Sequence, residues 1–151
     1  MRKYIFIGLG GILGAILRYY IKNIQLYHYN GAFPLNTFII NITGSFLLAF
    51  ILTAALLIKG FDSDIKLGIG TGFIGAYTTF STMCKETALL ITSGYFVSAA
   101  CYILLSIILG LGAAYLGTAV ARIVSYKQVD TKWHQWVTAE ETAADLEEEA
   151  E

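Results

Sequence analysis

Hydroxyl groups cluster inside an apolar stretch of this sequence, and they are the residues best placed to do chemistry. Within GFIGAYTTFSTM, residues 72–83, Gly72 and Gly75 favour a break in a helix. A break frees carbonyl oxygens for a cation and helix-end N–H groups for an anion. We therefore predict an ion or substrate site; the alternative is a kink whose hydroxyls bond back to the helix. The hydroxyl residues are Thr78, Thr79, Ser81 and Thr82.

Two other apolar stretches carry polar groups. Asn41 lies within FIINITGSF, where an unpaired amide would cost several kcal/mol. It serves either such a site or the packing of helices, where a hydrogen bond contributes about 1 kcal/mol. Tyr102, Ser106 and Gly110 recur at every fourth residue and so share one helix face. That face could pass an anion from donor to donor, or Tyr102 could only pack against its neighbours.

Charged residues also fall inside apolar stretches. Lys85 and Glu86 follow the hydroxyl cluster directly, and charges at such depth usually face a cavity or a partner. Arg18 lies near the end of the first apolar stretch. It either extends to the membrane interface or makes a vestibule that attracts anions.

Enzymatic chemistry has little support in the sequence, and we expect no enzyme and no nucleic-acid partner. His28 and His134 lie outside the apolar stretches, and no nucleophile or phosphate-binding motif occurs. Cys84 and Cys101 have neither a CxxC spacing nor a nearby His, so we expect buried free thiols.

The elements that position these residues follow from composition. Of the 151 residues, 56% are hydrophobic and only 14% are charged, against about 25% in a soluble domain. A membrane span needs about 20 apolar residues. We predict an all-α integral membrane protein: a four-helix transmembrane domain at 1–124, with its third helix broken near the midplane, and a polar acidic tail at 125–151 that is partly disordered or loosely helical. The predicted spans are 4–21, 35–58, 67–91 and 95–124.

Small residues recur at the spacing of helix contacts. Gly10 and Gly14 form one GxxxG pair, and Gly68 and Gly72 form another. Such pairs let helix backbones approach closely in lipid. We predict tight packing between the helices that carry them.

Positive charge is unevenly distributed. With four spans, both termini and most basic residues fall on one face, whereas Lys22 and Arg18 lie toward the other. The positive-inside rule then places both termini in the cytoplasm of a cell membrane protein. The residues on the basic face are Arg2, Lys3, Lys59, Lys66, Arg122, Lys127 and Lys132.

Three stretches resemble the signatures of the Fluc, or CrcB-type, fluoride channels: GGILGAILRY (10–19), FPLNTFIINITGSF (33–46) and GFIGAYTTFST (72–82). The resemblance covers about residues 2–124. It implies a passive channel that lets fluoride leave the cytoplasm and so relieves fluoride toxicity. It also implies a dual-topology dimer of antiparallel subunits in the bilayer, with two pores and a central structural sodium ion.

The resemblance also assigns residues. Gly75 and Thr78 match positions whose backbone carbonyls hold the sodium ion, and Arg18 and Glu86 match polar positions near the vestibules. Thr79 belongs to the same hydroxyl cluster. The positions implied to line the fluoride path are Asn41, Thr79, Phe80, Ser81, Thr82, Met83, Tyr102 and Ser106.

Met83 departs from the family pattern, because it stands where a second pore phenylalanine is expected. A thioether is flexible and lacks the fixed edge of a ring. Together with the charge bias, which favours one fixed orientation, Met83 leaves a heterodimer with a similar chain open beside the homodimer. A non-conducting partner subunit and a four-helix drug–proton antiporter are further alternatives. The antiporter needs a carboxylate in its first helix, and this chain has none there.

Overall fold

A computed structural model of the chain describes residues 1–24, 32–58 and 62–148. These residues are helical and contain no strand, which confirms the all-α prediction. The elements are α1 (Arg2–Asn23), α2 (Leu35–Leu57), α3 (Ser63–Leu67), a π-helical segment (Gly68–Ile74), α4 (Gly75–Tyr77), α5 (Phe80–Thr92) and α6 (Phe96–Glu148).

Three stretches among the described residues are long and apolar enough to cross a membrane: Arg2–Asn23, Leu35–Leu57 and Phe96–Tyr126. Many of their large apolar side chains are exposed, including Leu13, Ile108 and Leu111. Lipid is the environment that makes such exposure favourable, so the chain is a multi-pass membrane protein. The predicted span at 67–91 is not one helix, since the π-helical segment, α4 and α5 divide it.

Backbone contact joins α1 to the π-helical segment. A Cβ added at Gly10 would overlap the carbonyl oxygen of Gly68, and one at Gly14 would overlap that of Phe73. A Cβ at Gly72 would overlap the carbonyl oxygen of Ile7. These glycines therefore allow two backbones to touch, and the predicted contact through GxxxG pairs is confirmed. The order of the contacts shows that the two segments run in the same direction.

The packing of α2 against α6 follows the same rule. A Cβ at Gly117 would overlap the carbonyl oxygen of Phe46, and Gly110 lies beside the Ser45 hydroxyl. These helices also run in the same direction. Between α5 and α6 the chain reverses at Gly94, whose φ of 81° is the left-handed conformation that glycine adopts without strain.

Beyond the apolar part, α6 continues to Glu148. The backbone of the polar segment is thus helical as far as that residue. The predicted division into domains at residues 124 and 125 stays a prediction. Both cysteines are exposed, so the expectation of buried thiols is wrong: Cys84 and Cys101 lie on outward faces of α5 and α6.

An ion-pair cluster holds the start of α1 to the start of α3. Arg2 pairs with Asp62, and its Nε lies 3.5 Å from a carboxylate oxygen of Asp64. Asp62 is the N-cap of α3 and accepts the Asp64 N–H at 2.8 Å. That backbone hydrogen bond, more than the Arg2 charge, holds the pKa of Asp62 below its usual value.

Candidate functional site

Helical geometry stops at Thr78 and Thr79, between α4 and α5. Thr78 has φ −77° and ψ 159°, and Thr79 has φ −152° and ψ 109°, so both are extended. The glycines were expected to favour a break, but Gly72 and Gly75 lie in helical backbone. The interruption instead falls on two β-branched residues, which adopt extended conformations readily.

Asn41 bridges the interruption from α2. Its Oδ1 accepts the Thr79 N–H at 2.9 Å, and its Nδ2 donates to the Thr79 carbonyl oxygen at 3.1 Å. The amide therefore satisfies both backbone groups of an extended residue that lies 8% exposed. One of the two Nδ2 hydrogens remains for another acceptor. Asn41 thus links helices and still has a donor to offer.

Two carbonyl groups lose their helical partners at this point. In a continuous α-helix the Thr79 N–H would bond the Gly75 carbonyl, and the Thr82 N–H would bond the Thr78 carbonyl. The first N–H donates to Asn41 instead, and the second donates to Thr79 Oγ1 at 3.2 Å. The two carbonyls left without these donors belong to Gly75 and Thr78, the pair that the family resemblance associates with a cation.

Hydroxyls cap the start of α5. Thr79 Oγ1 donates to Thr82 Oγ1 at 2.9 Å and lies 3.4 Å from Ser81 Oγ. Thr78 Oγ1 bonds back to the Ile74 carbonyl at 2.9 Å. The kink alternative is therefore correct for Thr78, whereas Thr79, Ser81 and Thr82 form a connected group at the N-terminus of a helix.

A groove of about 300 Å³, here called the central groove, lies beside the interruption. Its walls are mainly apolar, with few polar groups. Ser106 Oγ is buried there and has no hydrogen-bond partner among the described residues. Phe80, which also lines this groove, is 74% exposed. The lining residues are Asn41, Ile42, Gly44, Ser45, Leu48, Thr78, Thr79, Phe80, Met83, Ser106 and Ile107.

Tyr102 lies one turn from Ser106 but outside the residues that line the central groove. It is 0% exposed, and its hydroxyl donates to Glu86 Oε2 at 3.0 Å. Its ring packs edge-on against Phe33, with centroids 5.2 Å apart. The predicted hydroxyl track is thus divided, with Ser106 in the groove and Tyr102 bonded to a carboxylate.

Glu86 accepts two hydrogen bonds and forms one ion pair. Besides Tyr102, the Thr37 hydroxyl donates to Oε1 at 2.8 Å, and Lys22 Nζ lies 3.8 Å from the same oxygen. Sequence reasoning missed Thr37 and gave Lys22 no role at the site. The available signal was spacing, since Thr37 precedes Asn41 by four residues and shares its helix face.

A second cavity of about 250 Å³, here called the mouth cavity, reaches Glu86 from one end of the molecule. It opens where α2 begins and α5 ends. Arg18 is half-buried on α1, and no hydrogen bond or ion pair joins it to Glu86. The lining residues are Ala32, Pro34, Glu86, Leu89, Leu90, Ser93 and Tyr95.

These features define a class: a multi-pass helical membrane protein with an interrupted helix beside a mainly apolar groove that holds a few hydrogen-bond donors. The family described as CrcB-like protein, Camphor Resistance (CrcB), matches residues 5–118, and the chain belongs to this family. The groove residues all fall within the matched range.

Relatives named as fluoride channels are similar to this chain along most of their length. A protein of Oceanobacillus iheyensis named fluoride-specific ion channel FluC is 41% identical over 121 residues, covering 80% of this chain and 92% of the relative. One of the same name in Shewanella amazonensis is 42% identical over 117 residues, covering 78% and 94%. Fluoride-specific ion channel FluC 1 of Bacillus cereus is 44% identical over 119 residues, covering 78% and 87%. These relatives are named as ion channels, a family that is not enzymatic, so the expectation that the chain is no enzyme is confirmed.

Proposed function

We propose that the chain is a fluoride-selective passive channel that exports fluoride from the cytoplasm and so relieves fluoride toxicity. One observation carries the proposal: Ser106, whose hydroxyl is buried without a partner among the described residues, lines the mainly apolar central groove together with Asn41. A buried donor without a partner is costly, and a transient anion would satisfy it. The relatives are named as fluoride-specific channels, which supports fluoride as the anion.

The groove suits this ion chemically. Fluoride is small and strongly hydrated, so a pore must replace its water with hydrogen-bond donors in a narrow space. Asn41 keeps one N–H, and Ser106 offers one O–H. The edge of the Phe80 ring carries partial positive charge and can face an anion. We assign Ser81, Thr82 and Tyr102 to the same path on the family resemblance.

A dimer would complete the path. The 74% exposure of Phe80 leaves the groove open on one side, where a second chain could close it. Because α1 and the segment after Gly68 run in the same direction, the chain must cross the membrane back between them. This supports four crossings. We propose an antiparallel pair of subunits with two pores, in which the interruption of the third span lies near the membrane midplane.

A structural sodium ion fits the redirected carbonyls. Gly75 and Thr78 each have a carbonyl whose helical donor bonds elsewhere, and carbonyl oxygens suit a hard cation. One chain would supply part of the ligand set and its partner the rest. The ion would hold the two interrupted helices together at the centre of the dimer.

Orientation and partner choice belong to the same proposal. The basic bias places both termini in the cytoplasm if one orientation is fixed. Met83 lines the groove beside Phe80, so the missing second phenylalanine falls within the path itself. That position favours a second candidate: a subunit that conducts poorly alone and pairs with a similar chain.

Fluoride efflux from liposomes tests the proposal. The purified chain is reconstituted, and an electrode records fluoride release, with chloride as the control ion. We expect rapid fluoride release, little chloride release and loss of the signal in Phe80→Ala. Chloride release equal to fluoride release would overturn selectivity, and silence of this chain alone would favour the two-chain candidate.

A further inference from the structure

We propose that Lys22 is the charge that draws fluoride toward the mouth cavity, and that Asn36 anchors the end of the helix that carries it. The inference rests on the proposed function and adds a positioning pair to it. Neither residue was singled out by the sequence or by the family resemblance.

The end of α1 is held from α2. Asn36 Nδ2 donates to the Lys22 carbonyl oxygen at 2.8 Å and to the Ile24 carbonyl oxygen at 3.0 Å. These are carbonyls that the end of a helix leaves without donors. The one amide therefore closes the C-terminus of α1 at the residue that carries the ammonium. A cation at a helix C-terminus is also favoured by the helix dipole.

Lys22 faces a carboxylate that an anion would otherwise avoid. Its Nζ lies 3.8 Å from Glu86 Oε1, and Glu86 lines the mouth cavity. Thr37 and Tyr102 hold the carboxylate by hydrogen bonds, so it cannot turn away without losing both. An anion entering the cavity therefore meets a fixed negative charge, and among the described residues Lys22 is the cation paired with it.

Exposure separates the roles of the two charges. The Glu86 side chain is 20% exposed, whereas that of Lys22 is 48% exposed. The ammonium thus lies on the solvent side of the pair, where its field reaches incoming ions. Without it, the mouth would present net negative charge to fluoride.

Kinetics in liposomes can isolate this effect. For Lys22→Gln we expect the half-saturating fluoride concentration to rise about tenfold at low salt and the difference to shrink at high salt, with the maximal flux little changed. Lys22→Arg should behave like the unmodified chain. Lys3→Gln is the matched control, because it removes the same charge from the far end of α1. A fall in maximal flux alone, or equal effects of Lys22→Gln and Lys3→Gln, would overturn the proposal.

A second measurement changes the charge after folding. Lys22→Cys is placed in a chain in which Cys84 and Cys101 are replaced by Ala, and a thiol reagent then adds an ammonium or a sulfonate group. The ammonium should restore low half-saturation and the sulfonate should raise it further. Equal kinetics with both reagents would refute the role of Lys22. Absence of fluoride flux in the unmodified chain would count against the proposed function of this chain alone and not against the role of Lys22.

Discussion

At the scale of single residues, the site is built from donors that the fold leaves partly free. Asn41 uses one N–H and its oxygen on the backbone of Thr79 and keeps the other N–H. Ser106 keeps its hydroxyl, since no described residue accepts from it. An anion path needs such donors, because groups fully bonded within the protein have nothing to exchange for the ion's water.

Ser106→Ala separates conduction from stability. We expect fluoride flux to fall about tenfold, because the variant loses one hydrogen bond to a charged acceptor. Thermal unfolding should be unchanged or slightly later, because the change removes a buried polar group without a partner. Ser125→Ala is the control: its hydroxyl is equally buried and unpartnered but lies outside the groove lining. Equal flux in the two variants would remove Ser106 from the path.

Asn41→Asp keeps the acceptor for the Thr79 N–H and replaces both N–H donors, the free one and the one bonded to the Thr79 carbonyl, by negative charge. We expect fluoride flux to fall at least about tenfold, because a fixed anion repels a mobile one. Electrode recordings would measure it, with Thr118→Val as the comparison, since that hydroxyl bonds only the Ala114 carbonyl of its own helix. Flux near that of the unmodified chain would contradict a pore position for Asn41.

At the scale of elements, glycine contacts and caps decide how the interrupted span is held. The π-helical segment lies directly on α1 because Gly10, Gly14 and Gly72 place backbone against backbone. Asn41 and Thr79 then replace the hydrogen bonds that the interruption removes. The interruption is thus supported on one side by packing and on the other by an amide.

Gly14→Ala should disturb this support. The atoms that the added methyl would meet, the Phe73 carbonyl among them, all belong to the backbone. They cannot rotate away as a side chain can, so α1 itself must shift. We expect the free energy of unfolding to fall by about 1–3 kcal/mol. Thermal unfolding in detergent would measure this loss. Gly8→Ala on the same helix meets nothing within 4 Å and should be neutral or slightly stabilising. A smaller loss at Gly14 than at Gly8 would contradict the packing described.

The Arg2 cluster gives a pH dependence. The pKa of Asp62 is lower in the folded chain than in the unfolded one, so its contribution to stability is present above the unfolded value. It is lost as the pH falls through the folded value. Unfolding midpoints measured between pH 7 and pH 3 should therefore decline more steeply in the unmodified chain than in Asp62→Asn. Parallel declines would show that the cap contributes nothing.

At the scale of the whole molecule, the charge distribution favours one orientation in the membrane, whereas a dimer with an inverted copy of the same chain requires both orientations. The proposed dimer requires a second subunit to close the groove, and the family resemblance implies that this subunit is inverted. Residues 1–128 carry nine Lys or Arg against three acids, which favours a fixed orientation. A chain that pairs with an inverted copy of itself must overcome this bias, whereas a chain that pairs with a different subunit need not.

Labelling of Tyr126→Cys, with Cys84 and Cys101 replaced by Ala, would decide between these states. Tyr126 is 83% exposed at the end of the third stretch able to span a membrane. An impermeant maleimide applied to intact cells should label about half of the molecules if both orientations occur. Labelling only after the cells are opened would indicate one orientation with the termini inside, and so a different partner chain.

Local pattern determined much of this protein from sequence alone. Apolar stretches, GxxxG pairs and embedded polar residues indicated a helical membrane protein, a helix contact and some polar residues that line the groove, such as Asn41 and Ser106. Each depends on the periodicity of one helix or on the cost of a polar group in lipid.

Only the tertiary structure decided where the interruption falls and which donors remain free. Asn41 bonds a residue 38 positions later in the chain, and this bond helps to fix the interruption at Thr78 and Thr79 instead of at the glycines. The same long-range packing left Ser106 unpartnered and directed Tyr102 and Lys22 to Glu86. Hydrogen-bond partners far apart in sequence have no periodicity to reveal them, so their pairing appears only once the helices are packed.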